Sequence, residues 1–209
     1  MINDVALSVV KTKICGMTRE EDLQRAEELG VWAIGFVFAA SKRQISAERA
    51  AELGRVLGPF TSRVGVFVDS PPEEVLRVAE VARLSAVQLH GNEPKQWAEE
   101  VGRWLPVIKA VRLTGPADPA WLNYPASALL VDGAVPGSGK PYDPSWLEPL
   151  WRHPRLIVAG GLTPNRLPEL FDHGCPYAVD VSSGVEAAPG IKDANKMASF
   201  IQAARGACG

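Results

Sequence analysis

Cys15, Arg43, Asp132 and two runs of small residues, "AGG" at 159–161 and "SSG" at 182–184, are the parts of this 209-residue chain whose types suit chemistry. A thiol and a carboxylate exchange protons, an arginine fork holds a carboxylate, and small residues let backbone N–H groups approach a phosphate. Each also has a plainer reading. Free cysteine is among the most buried residue types and packs as a small hydrophobe. Asp132 before Gly133 can be a turn aspartate, a lone loop arginine is commonly just solvated, and glycines after a strand make ordinary turns. What separates the readings is where the fold puts these residues.

Eight short apolar runs mark candidate strands: "KIC" (13–15), "AIGFVF" (33–38), "RVGVFV" (63–68), "AVQLH" (86–90), "PVIKAV" (106–111), "ALLVD" (128–132), "LIVAG" (156–160) and "YAVDV" (177–181). Amphipathic stretches alternate with them, the pattern of βαβ units and a parallel sheet. Thr18 with Glu21 forms a possible capping box, Pro72 suits a first helical position, and Asp143-Pro144 and Thr163-Pro164 pair a capping side chain with proline. A doubly wound sheet usually needs only five or six strands. The expected fold is therefore α/β, a single (β/α)₈ TIM barrel of eight parallel strands with outer helices. One domain covers residues 1–209, of which 1–11 form an extension ahead of strand 1. Such a barrel carries its chemistry at the C-terminal ends of the strands and grips phosphate after strands 7 and 8.

The residues at or just past those ends are Cys15, Arg43, Asp69, His90, Arg112, Asp132, Gly160, Gly161 and the stretch from Asp180 through Ser182 and Ser183 to Gly184. Most are polar or expose backbone. Cys15 stands three residues before the expected helix cap, where a helix N-terminus favours a thiolate, which makes it a candidate base. Asp132 closes an apolar run, so its carboxylate is paired, faces the barrel mouth, or has its pKa raised by burial. Strands 1 and 6 are three apart round an eight-stranded barrel, which sets Cys15 and Asp132 across the mouth from each other. Two proton-transfer groups flanking a ligand suit an isomerisation. Gly160 and Gly161, with Ser182, Ser183 and Gly184, are placed to bind phosphate, aided by a helix expected to start near Ser183. Arg43 is placed to hold a carboxylate bidentately. His90 is either ligand-facing or a satisfied histidine. "PGSGKP" (136–141) has the look of a nucleotide phosphate loop but lacks its first glycine and its Ser or Thr after the lysine.

A formal net charge of −2 offers no footprint for nucleic acid or a membrane surface. The uncharged run "VWAIGFVFAA" is far short of the roughly 20 residues that span a bilayer, and "MINDVALSVV" has no basic region of a signal peptide. A cytoplasmic protein is expected. Cys15, Cys175 and Cys208 are odd in number and have no CxxC spacing, which argues against a disulfide scaffold or structural zinc.

"KICGMT", "GFVFAASKRQI", "VGVFVD", "VQLHG", "LLVDG", "GSGKPYD", "VAGGLTPNR" and "AVDVSSGVEAAPGIKD", in that order over about residues 12 to 204, resemble the phosphoribosylanthranilate isomerases of tryptophan biosynthesis, which are (β/α)₈ barrels. The resemblance implies an Amadori rearrangement of N-(5-phosphoribosyl)anthranilate to 1-(2-carboxyphenylamino)-1-deoxyribulose 5-phosphate. By the same resemblance, Cys15 is the general base and Asp132 the general acid. Arg43 holds the anthranilate carboxylate, and Gly160, Gly161, Ser182, Ser183 and Gly184 cradle the phosphate. Asp180 meets a sugar hydroxyl, and His90 is a possible substrate contact. No metal or organic cofactor is implied, and the only partner is a phosphorylated small molecule, bound by a monomer or homodimer. A thiol of ordinary pKa, about 8.5, is mostly protonated at neutral pH, so Cys15 needs a helix terminus or a cation to lower it. The alternatives are a related phosphoribosyl-sugar isomerase of histidine biosynthesis, which would use two aspartates, and a non-catalytic barrel that binds a phosphorylated ligand. Chains of the resembled family tend to begin within a few residues of "KICG", whereas about ten residues precede the first strand here.

Overall fold

A computed structural model of the chain describes residues 9–133 and 142–206. Its parallel strands are β1 (Lys11–Cys15), β2 (Ala33–Val37), β3 (Ser62–Phe67), β4 (Ala86–Leu89), β5 (Val107–Leu113), β6 (Ala128–Gly133), β7 (Leu156–Val158) and β8 (Ala178–Val181). Each pairs with the next, and β8 returns to β1 to close the barrel, so the expected architecture is the observed one. Parallel strands are covered on both faces, which is why the runs are apolar at nearly every position. In β6, Leu129 and Val131 pack with the outer layer, while Ala128 and Leu130 join Val64, Ile108, Ala110 and Ile157 in a second core inside the barrel. Lys11, expected in the N-terminal extension, already belongs to β1. The rest of that extension up to residue 8, the "PGSGKP" stretch and Cys208 lie outside the described residues. Cys175 is disulfide-bonded, although the cysteine spacing argued against a disulfide framework, and Cys15 is free.

The outer layer holds α1 (Glu20–Glu28), α2 (Ala47–Leu53), α3 (Pro72–Ala82), α4 (Lys95–Gly102), α5 (Leu167–His173) and α6 (Ala194–Arg205). Pro72 opens α3 as expected. Ser46 caps α2 by accepting from the Arg49 N–H, and Asp193 caps α6 by accepting from Asn195 and Lys196. The capping box at Thr18 does not form: Arg19 occupies the cap of α1, and the Thr18 hydroxyl donates to the Gly190 carbonyl instead. Asp143 does cap, accepting from Ser145, whereas Thr163 makes no such bond. After β5 and β6 the outer cover is 3₁₀ helix, Pro119–Asn123 and Pro144–Leu150, and the second carries Pro149 in its interior, where a missing N–H and ring clash disfavour an α-helix. The helix expected near Ser183 is a single 3₁₀ turn, Ser183–Val185, followed by the short hairpin β9 (Glu186–Ala188) and β10 (Ile191–Lys192). Among the described residues no helix is long and apolar enough to cross a membrane.

Candidate active site

The C-terminal strand ends open into a cavity of about 630 Å³ lined by Cys15, Arg43, His90, Asp132 and Asp180, together with Gly160, Gly161, Ser182 and Ser183. Barrel order sets these round the rim as Asp132 on β6, the glycines after β7, the serines after β8, Cys15 on β1 and Arg43 after β2. Gly184 does not line the cavity: a Cβ there would strike the Leu162 carbonyl, so this glycine lets the β8 loop lie against the β7 loop. Asp69 also stands outside it, accepting from the Asn92 N–H at 2.6 Å. Arg112 lines the cavity and donates to the His90 carbonyl at 3.1 Å.

The period of two along a strand turns Lys13 and Cys15 to the same inner face of β1. Lys13 lies in register with Asp180 of β8, and the two form a buried ion pair, Nζ to Oδ2 2.8 Å. The positive charge of Lys13 also favours the Cys15 thiolate. Burial pushes the Cys15 thiol above its ordinary value, and Asp180 adds to that rise. Lys13 and Lys192 pull the other way without reversing it. The helix terminus expected to favour a thiolate is not the source of that pull, because α1 starts only at Glu20 and its first turn is Glu20, Glu21 and Asp22. The second Asp180 oxygen, Oδ1, is buried with no hydrogen-bond partner, which leaves an acceptor for a ligand hydroxyl.

Across the mouth, Asp132 Oδ1 accepts from the Gly133 N–H at 2.7 Å, and Oδ2 lies 3.4 Å from His90 Nε2. The Gln88 amide nitrogen is 3.0 Å from His90 Nδ1; donation from the amide puts the ring proton on Nε2, facing Asp132. His90 therefore belongs to the surroundings of Asp132. The Tyr142 hydroxyl is buried without a partner, and burial, with the Asp132 charge, drives its pKa up. Gly160 has φ 88°, and a Cβ there would come within 2.9 Å of Asp132 Oδ1, so glycine lets the β7 loop and the acid share one corner. The Ser182 hydroxyl donates to the Cys15 carbonyl at 3.0 Å, tying the β8 loop to β1.

Arg43 meets a carboxylate, but one from this chain. Its Nε and Nη2 donate to Glu186 Oε1 and Oε2, both at 2.7 Å. The expected bidentate grip of a ligand through that edge of the guanidinium is therefore taken. Glu186 Oε1 also accepts from Lys192 Nζ at 3.0 Å, and Lys192 donates to the carbonyls of Cys15 (2.6 Å) and Ser182 (3.2 Å). Burial alone would raise the Glu186 carboxylate, yet Arg43 and Lys192 hold it at about 2. A third buried pair, Lys109 and Glu93 at 2.5 Å, secures the loop after β4, where Glu93 Oε1 accepts from the N–H groups of Asp69 and Gly91.

Lys13, Gln88, Glu93, Lys109, Glu186 and Lys192 escape a reading of strand ends. For two of them a signal exists: "TKIC" and "VIKAV" each place a lysine inside a run otherwise suited to burial, which demands a buried partner.

Residues 12–203 match the family model described as N-(5'phosphoribosyl)anthranilate (PRA) isomerase. The N-(5'-phosphoribosyl)anthranilate isomerase of Symbiobacterium thermophilum is 43% identical over 93% of this chain and 97% of its own, and that of Thermotoga maritima 44% over 95% and 100%. The crystal structure of the Thermus thermophilus phosphoribosyl anthranilate isomerase superposes with a TM-score of 0.90 at 53% identity, covering 93% of this chain and 98% of that one. A phosphoribosyl anthranilate isomerase in complex with reduced 1-(o-carboxyphenylamino)-1-deoxyribulose 5-phosphate superposes with a TM-score of 0.86 at 42% identity, covering 94% and 99%. With a closed barrel, a thiol and a carboxylate on opposite sides of its mouth, and similarity over nearly the whole length, the chain belongs to the N-(5'-phosphoribosyl)anthranilate isomerase family.

Proposed function

We propose that Cys15 and Asp132 carry out the family's Amadori rearrangement of N-(5-phosphoribosyl)anthranilate to 1-(2-carboxyphenylamino)-1-deoxyribulose 5-phosphate, as general base and general acid. The observation that carries this assignment is their shared cavity: Cys15 ends β1, Asp132 lies in β6, and the loops after β7 and β8 lie between them on the rim. Asp132 gives a proton to the ribose ring oxygen as its bond to C1 breaks, leaving a protonated Schiff base at C1. That cation acidifies the C2 proton, which the Cys15 thiolate removes to form an enolamine. Loss of the enol proton to the Asp132 carboxylate and return of the proton from the Cys15 thiol to C1 complete the ketone, so both groups regain their starting states and the proton count closes. Backbone N–H groups at Gly160, Gly161, Ser182 and Ser183 hold the phosphate, Asp180 Oδ1 accepts from a sugar hydroxyl, and Arg43 faces the anthranilate carboxylate. On this reading the chain works in the cytoplasm as one domain, as a monomer or homodimer, on a phosphorylated small molecule.

The test follows the substrate's fluorescence as it is consumed after generation from anthranilate and phosphoribosyl pyrophosphate. Cys15→Ala and Asp132→Asn each lower kcat by about 10² to 10⁴ with KM within a few-fold, the usual loss for a general acid or base. Near-full kcat in a folded variant removes that residue from the chemistry.

A further inference from the structure

We propose that Glu186 is a positioning residue for substrate recognition: it occupies the side-on edge of the Arg43 guanidinium, so that only the end-on pair, Nη1 and Nη2, meets the substrate carboxylate. The inference rests on Arg43 being the carboxylate grip.

Arg43 lines the cavity and Glu186 does not, so of the two only the arginine is open to a ligand there. A guanidinium offers five N–H donors in a planar fork. Glu186 takes Nε and one Nη2 proton in two 2.7 Å bonds, and three donors on Nη1 and Nη2 remain. Glu186 Oε1 is saturated, because it also accepts from Lys192 Nζ and the Gly190 N–H at 3.2 Å. Its side chain is only 6% exposed. The arginine stem is fixed as well, since it crosses Gly16 so closely that a Cβ there would run into Arg43 Cδ.

Charge explains why a second cation is present. Glu186 alone would cancel Arg43 and leave a neutral pair facing an anionic ligand. Lys192, whose side chain is fully buried, returns the trio to a net charge of +1. Because Lys192 also donates to the Cys15 and Ser182 carbonyls, the carboxylate grip, the base and the phosphate loop share one set of anchors. A planar acceptor one ring away from the reacting carbon is thereby met from a single direction, which selects substrates with an ortho carboxylate.

The experiment compares Glu186→Gln, Arg43→Ala and the double variant in steady-state kinetics. Glu186→Gln keeps the shape and lets the fork swing, so KM rises roughly tenfold, about the loss of one well-aligned charge-assisted bond, while kcat stays within about threefold. In the Arg43→Ala background the same substitution changes KM less than about twofold, because Glu186 then has no arginine to orient. An unchanged KM in folded Glu186→Gln, or an equal loss with and without Arg43, overturns the proposal. If Arg43→Ala itself leaves KM untouched, the carboxylate reading of Arg43 fails, a result separate from the first two. A crystal structure of the wild-type enzyme with the reduced product analogue decides the point even if the variants do not fold. The carboxylate on Nη1 and Nη2 with Glu186 still on Nε supports the proposal, and a ligand carboxylate that has displaced Glu186 refutes it.

Discussion

Lys13→Met separates the two things that Lys13 does. The ammonium lies 2.8 Å from Asp180 Oδ2, with the two side chains 4% and 7% exposed. Methionine has a similar length and no charge, so the variant leaves an ionised Asp180 whose Oδ1 already lacks a partner. Removing one member of a buried pair costs about 3–5 kcal/mol. At about 2–4 °C per kcal/mol for a domain of roughly this size, Tm falls by some 6–20 °C. Adding Asp180→Asn removes the stranded charge and recovers most of that loss. The sign with pH follows from Lys13, whose pKa burial would lower but Asp180 holds above the ordinary value. The pair's stabilisation is therefore complete below the unfolded-state value near 10.4 and is lost only as pH rises through the folded value, so the stability gap stays flat between about pH 6 and 9. Kinetically, losing the cation that favours the thiolate raises the Cys15 pKa further. The rising limb of kcat against pH, which burial already sets above the ordinary thiol value, moves further to alkaline pH. At neutral pH kcat falls about 10- to 10³-fold, and the deficit shrinks as pH approaches the limb. Urea unfolding followed by tryptophan fluorescence and a pH–rate series on the substrate measure the two effects. A variant within 1 kcal/mol of wild type, or one slowed equally at every pH, refutes the reasoning.

Gly16→Ala places a Cβ at φ 76° and against the Arg43 stem. Melting should show a cost of about 1–2 kcal/mol for the left-handed conformation, and kinetics a KM that rises more than kcat falls. Lys109→Met leaves the Glu93 carboxylate buried in the clamp behind His90 and costs about 3–5 kcal/mol at neutral pH in urea unfolding. Glu93 is held below its ordinary value because Lys109 outweighs burial, so that stabilisation is full above about pH 4.3 and fades as pH drops below it. A loss unchanged at pH 3 would contradict the pairing as its cause. Gln88→Met removes the donor that sets the His90 tautomer and should lower kcat about tenfold with KM nearly constant, less than the roughly 10² to 10⁴ of losing a general acid outright because Asp132 itself remains. No change in kcat would detach His90 from Asp132.

The strands were legible because parallel strands buried on both faces read as continuous apolar runs, and the polar residue that ends each one stands out against them. Cys15, His90, Asp132, Gly160 and Asp180 were visible for that reason, and all line the cavity. Helix starts were less legible. Thr18 has the right type and spacing for a cap, yet a carbonyl from the distant Gly190 competes for its hydroxyl. The covers after β5 and β6 follow proline placement and tertiary packing rather than periodicity.

By itself the sequence determined the barrel, the end at which its polar strand-end residues gather, and a thiol and a carboxylate set across that mouth, since strand period, turn residues and chain order are local properties. Only the tertiary structure decided what those groups touch. Lys13 meets Asp180 because β8 closes onto β1, and Arg43 meets Glu186 because the β2 and β8 loops converge over Gly16. Both partnerships join residues far apart in the chain, and burial makes each charge depend on its partner, so neither the state of Cys15 nor the free edge of Arg43 could be read before the barrel closed.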